Sequence, residues 1–99
     1  MNFEVIIKAE AHLDVWVAYE YYEEKQPGLG ELFLEALDDV YRSIANHPTH
    51  YSYIAEDPSN VFRDRRLKKF PYVVVFEIIG DAVIVYAVFH VRRDPAKKI

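Results

Sequence analysis

The sequence predicts an α+β layer fold of the order β-α-α-β-β-β, a helical hairpin packed on one face of a small, mainly antiparallel sheet. Three observations predict it. Two consecutive stretches carry apolar residues at helical spacing, a break rich in glycine and proline separates them, and apolar, β-branched segments stand at both ends of the chain.

Taken in order, residues 3–8 have an apolar, β-branched centre and form a first strand, expected inside the sheet. From residue 10 to residue 25, Ala11, Val15, Ala18 and Tyr22 fall on one helical face, and His12 and Tyr19 widen it. Leu13, Trp16 and Val17 lie on its flanks, so this helix carries apolar surface to be covered on two sides. Gln26-Pro27-Gly28-Leu29-Gly30 ends the periodicity with residues that fix φ or allow it to turn positive. Leu29, Leu32, Phe33, Ala36, Leu37, Val40 and Ile44 then trace a second helical stripe, with Glu31, Glu35, Asp38, Asp39 and Arg42 turned outward. It ends near Asn46-His47-Pro48, because a proline biases its predecessor away from helical geometry.

A connection this short forces the two helices into an antiparallel hairpin. Beyond it, Tyr51-Ser52-Tyr53-Ile54 alternates briefly, residues 61–70 form a charged extended stretch, and residues 72–79 and 82–90 are apolar strands. Gly80-Asp81 between the last two is a hairpin turn.

At 99 residues the chain fits one domain, residues 1–99, and a chain of this size buries roughly 60–70% of the surface it exposes when unfolded. Apolar residues make up 52% and are dispersed, which excludes the disordered and fibrous classes. No apolar run reaches the roughly 18 residues that a membrane span needs. The first residues lack the basic and apolar regions of a secretory signal, and cysteine is absent, so the expected location is a reducing cytoplasm. The net charge of −4 conceals a division: residues 1–60 hold three basic side chains against twelve acidic ones, residues 61–99 nine against four. An acidic first half argues against general coating of nucleic acid, while the basic second half suits local contact with phosphate or an acidic protein.

Arg63, Arg65, Arg66, Lys68 and Lys69 put five cations into seven positions. Alternation on a strand sends Arg63, Arg65 and Lys69 to one face and Arg66 and Lys68 to the other. Such a strand is also how an edge is kept unpaired, although the density here exceeds what edge protection requires. His90, with Arg92 and Arg93, closes the last strand, where a histidine serves either chemistry or a structural hydrogen bond. His12, His47 and His50 lack metal-ligand spacing, and the three glycines make no phosphate loop, so neither a metal nor a cofactor is expected.

Three stretches in this order and spacing resemble the RelE/ParE toxin superfamily of type II toxin–antitoxin systems, and more closely its ParE-type, plasmid-stabilization branch. They are Ala18-Tyr19-Glu20-Tyr21-Tyr22-Glu23-Glu24 with Pro27-Gly28-Leu29-Gly30 and Phe33, then Arg65-Arg66-Leu67-Lys68-Lys69-Phe70-Pro71-Tyr72, then His90-Val91-Arg92-Arg93-Asp94-Pro95. With His47-Pro48 they span residues 9–95. Tyr21-Tyr22, the glycine turn and Phe70-Pro71-Tyr72 have structural readings of their own, as buried rings, a hairpin turn and a strand entry.

The resemblance implies a toxin that inhibits DNA gyrase by protein binding, needs no catalytic residue and is neutralised by a cognate antitoxin. Target-binding candidates are Arg63, Arg65, Arg92 and Arg93, with Tyr51 and Tyr53 close in sequence. Antitoxin-binding candidates are Trp16, Tyr19 and Tyr21, since fifteen aromatic residues exceed what one small core hides. The alternative is a RelE-like ribosome-dependent messenger-RNA endonuclease. It would use His90 as base or acid, Arg65 or Arg66 with Arg92 as phosphate clamps, and Glu56 as a remote second group. A net acidic chain suits the ribosome poorly, because affinity there comes from neutralising many phosphates. A third reading is an inactive member that only binds its antitoxin.

Overall fold

The structure, a computed structural model, describes residues 2–54 and 59–92. Its elements are β1 (Glu4–Ile7), α1 (Ala9–Lys25), α2 (Leu29–Asn46), a single 3₁₀ turn at Pro48–His50, β2 (Phe62–Arg66), β3 (Tyr72–Ile79) and β4 (Ala82–His90). The sheet order is β1-β4-β3-β2, with β1 parallel to β4 and the other pairs antiparallel.

The first strand therefore stands at an edge and not inside the sheet as expected. A short apolar run is common to both positions. Burial separates them: Val5 and Ile7 are half-buried against the helices, while Glu4 and Ile6 face water. The interior strands are β3 and β4, whose near-continuous apolar runs match burial on both faces.

On the helix face, Val74, Phe76, Val83, Val85 and Val88 pack under Ala11, Ala18, Phe33, Leu37, Val40 and Ile44. On the opposite face, Val73, Val75 and Phe89 pack with Ile54, from the segment that precedes β2, and with Phe62 at the start of β2. Residues 51–54 form no strand of their own. Tyr53 makes one isolated bridge to Arg63, and the Ile54 N–H donates to the Phe62 carbonyl at 2.9 Å.

The turn between the helices follows from its residues. Gly28 sits at φ +91°, a region that favours glycine. The Glu23 carboxylate reaches forward to accept the N–H of Gly28 at 3.0 Å and of Gly30 at 2.7 Å, capping the positive end of α2. A Cβ at Gly30 would meet the Glu23 Cγ at 2.7 Å, so the absence of a side chain permits this approach. Tyr22, Phe33, Phe70 and Tyr72 form a ring cluster with centroids 5.0–6.1 Å apart, tying both helices to the β2–β3 connection.

In the final hairpin Gly80 takes φ +60° while Asp81 stays negative, the glycine-first pattern of a type II′ turn. A bulge at Tyr86 shifts the β3–β4 register, so that Val75 faces Ala87 and Phe76 faces Val85.

Candidate functional site

The basic segment does not stay extended through residue 70. It is a strand only over Phe62–Arg66, and Lys69 then takes φ +68°, which breaks the alternation expected for it. Arg63 and Arg65 lie opposite Phe76 and Val74, residues of the helix face, so both project to that side.

Tyrosines hold these two arginines. The Arg63 guanidinium donates to the Tyr51 carbonyl at 2.8 Å and to the Tyr53 hydroxyl at 3.0 Å, and it lies 4.0 Å from the Tyr53 ring centroid. Arg65 stands 5.0 Å from the Tyr51 ring centroid. Arg63 thereby fixes the 51–53 segment, while Arg65 borders open space.

That space is a groove of about 720 Å³ between α2 and the β2–β3 connection. Arg65, Arg66, Lys68 and Lys69 form one wall, Phe70 lies at its base, and α2 supplies the other wall. Lys69 and Lys68 come together here because the positive φ turns the chain back toward α2. Sequence reasoning missed the α2 contribution: Leu29, Leu32 and Ala36 were assigned to the core stripe and Glu35 and Asp39 to a solvated face. Leu32 is 54% exposed, although it falls in phase with buried Phe33 and half-buried Ala36.

His90 lies elsewhere on the same face. It pairs with Tyr72 in the register, its ring meets the Tyr72 ring edge-on at 5.2 Å, and its Nδ1 accepts the Arg92 N–H at 3.1 Å. Arg65 pairs with Val74 two residues along β3, which puts the Cα atoms of Arg65 and His90 roughly 10–12 Å apart by strand geometry. Neither His90 nor Arg92 lines the groove. Arg93 and Glu56 lie outside the described residues.

The aromatic candidates on α1 form a second surface. Trp16 is 57% exposed and stacks on Tyr19 at 6.0 Å, while Tyr21 is exposed beneath the Lys25 ammonium at 5.1 Å. The Tyr19 hydroxyl donates to Glu31 at 3.4 Å. Partial burial, then the charges of Glu23 and Glu31 and the bond to Glu31, push its ionisation above the usual tyrosine range. Leu13 and Val17, flanking residues expected to be covered, are about two-thirds exposed beside Trp16. The α1 surface that the sequence would cover on two sides is covered on one among the described residues.

Among the described residues, no three His, Cys, Asp or Glu side chains are grouped to hold a metal ion, and no helix is long and apolar enough to cross a membrane. His47 and His50 stack face to face at 4.6 Å on the turn after α2.

The chain matches the family model of the ParE toxin of type II toxin–antitoxin systems, parDE, over residues 5–95. No curated protein sequence matches it. Among solved structures, it superposes with a TM-score of 0.78 on a chain described as "Chromosomal ParDE TA system from P. aeruginosa", at 13% identity, covering 89% of this chain and 95% of that one. At that identity the likeness speaks for the fold, and the family model speaks for descent. A helical hairpin over a mixed four-stranded sheet, matched along nearly its whole length, places this chain in the ParE toxin family of type II toxin–antitoxin systems.

Proposed function

We propose that the chain is a toxin that inhibits DNA gyrase by binding it in the cytoplasm, and that a cognate antitoxin neutralises it by covering the exposed face of α1. The observation that carries this reading is the bracing of Tyr51 and Tyr53 by Arg63, next to Arg65 on the same face of β2. Cleaving RNA through its 2′-hydroxyl requires a base, an acid and phosphate clamps around one phosphate. Here His90 packs on Tyr72, two strands over from Arg65 on the same face and outside the groove, and Arg63 is engaged in bracing Tyr51 and Tyr53. Arginines on a rigid strand with tyrosines braced against them are the composition of protein-binding anchors. Arg65, with Arg92 and Arg93 toward the end of the chain, supplies the target-facing charge. Leu13, Trp16 and Val17 with Tyr19 and Tyr21 supply the apolar surface for the antitoxin.

The test is a supercoiling assay with purified gyrase, alongside growth on induction. The wild-type chain is expected to block supercoiling and arrest growth, with co-expression of the neighbouring small reading frame restoring growth. Arg65→Ala should weaken both effects, and His90→Gln should leave both largely intact. Unimpaired supercoiling together with cleaved transcripts on ribosomes, abolished by His90→Gln, would replace this reading with the nuclease.

A further inference from the structure

The groove between α2 and the β2–β3 connection has walls of opposite sign. On one side stand Arg66, Lys68 and Lys69, and on the other Glu35 and Asp39 of α2. One step along α2, Asp38 has closed a 2.8 Å ion pair with Arg42. Glu35, Asp39, Arg66, Lys68 and Lys69 have no ion-pair partner among the described residues. Opposite charges that line one groove are thus held apart, and between them lies an apolar ridge of Leu29, Leu32 and Ala36 over Phe70.

We propose that this groove docks a peptide segment of the protein target, with an apolar ridge along its middle, acidic side chains on one edge and basic ones on the other. The inference rests on the reading of the chain as one that acts on a protein, and it adds where the target is gripped and what chemistry is recognised.

Charge excludes the simpler occupants. A nucleic-acid strand or other polyanion would meet Glu35 and Asp39 head on, and like charges brought together at an interface are costly. A purely basic segment would meet the same repulsion from Arg66, Lys68 and Lys69. Only an occupant carrying both signs, in the right order across its width, satisfies both walls. Its apolar centre answers Leu32, which is 54% exposed at the groove.

Shape selects a peptide over a compact zwitterion. The lining residues of α2 run from Leu29 to Ser43, a helical rise of roughly 20 Å, so the groove is elongated. A segment lying along a helix in this way is a common mode of peptide recognition, with anchors spaced at turns of the partner.

The test titrates gyrase against the full chain as wild type, as K68E/K69E and as E35K/D39K, each first shown to keep the wild-type melting transition. Both double variants are expected to lower affinity about tenfold or more, because each turns one attractive edge repulsive. The decisive variant is E35K/D39K, which makes the groove uniformly basic. If it binds as well as wild type, or more tightly, the acidic wall takes no part and the proposal fails.

Should wild type not bind gyrase, the proposed target is wrong, and the groove is then read by a second probe. Two synthetic helical peptides share a leucine ridge, one with Glu on one flank and Lys on the other, one with Glu on both. A stronger shift of the Leu32, Ala36 and Lys68 amide resonances with the two-sign peptide sustains the groove. An equal or stronger response to the all-Glu peptide or to a single-stranded oligonucleotide, or no response to either peptide, overturns it.

Discussion

Tyr41 of α2 shows how much one atom can carry. Its ring packs against the helix-face core, but its hydroxyl is buried and finds no hydrogen-bond partner among the described residues. Burial, and to a lesser degree the charge of Asp14, pushes its ionisation well above the usual tyrosine range. Tyr41→Phe removes a desolvated polar atom and keeps the ring, so it should raise stability by roughly 1 kcal/mol in urea unfolding at neutral pH. The alkaline limb provides the sign. A phenol whose folded-state value is raised contributes stability that is intact below the unfolded value near 10 and is lost as pH rises toward the folded one. Wild type should therefore lose stability above about pH 10 more steeply than Tyr41→Phe. Parallel alkaline limbs for the two proteins would refute the burial argument. Arg63 teaches the complementary lesson: a cation that looked free in the sequence is occupied by Tyr51 and Tyr53, and only coordinates show it.

At the scale of elements, the start of α2 depends on a carboxylate from α1. Glu23 accepts two backbone N–H groups at the positive end of α2, so Glu23→Ala should cost about 1–2 kcal/mol, with Glu23→Gln retaining part of it. Gly30→Ala should cost a similar amount by a different route, since its Cβ would lie 2.7 Å from Glu23 Cγ and 2.8 Å from the Tyr19 ring. Denaturant midpoints measure both, and because the added Cβ meets the Glu23 side chain itself, the double variant Glu23→Ala/Gly30→Ala should lose less than the sum of the two. These elements differ in how far the sequence disclosed them. The α2 stripe was legible because its period is local, and β3 and β4 were legible because burial on both faces leaves unbroken apolar runs. The edge position of β1 was not, since its few apolar residues suit an edge or an interior strand alike. The end of β2 at Arg66 was hidden as well, because nothing in Leu67-Lys68-Lys69 announces a positive φ at a lysine. The groove was invisible for a further reason: its walls lie some thirty residues apart, and only the fold of the hairpin onto the sheet brings Glu35 and Asp39 to face Lys68 and Lys69.

Across the whole molecule, the acidic helical layer must be held on a sheet whose far edge is basic, and a side-chain hydrogen bond outside the apolar core helps span that join. Past Ile7 the parallel β1 strand gives way to α1, so β4 beyond Val85 loses its strand partner on that side. Asp14 of α1 takes over there: its carboxylate accepts the Val88 N–H at 3.0 Å, across 74 positions of sequence. An amide in the middle of a buried strand would otherwise be left unpaired, and a bond to a charged acceptor contributes more than a neutral one. Asp14→Ala should thus cost about 1.5–3 kcal/mol, while Asp14→Asn, which keeps an acceptor oxygen, should lose about half of that. Hydrogen exchange separates this from a general loss of stability. In Asp14→Ala the Val88 amide should exchange faster than its neighbours on the β3 side of β4, under conditions where the global opening rate is matched by denaturant. Uniform acceleration along β4 would mean that the apolar core alone holds the layers together, and that the carboxylate merely sits at the join.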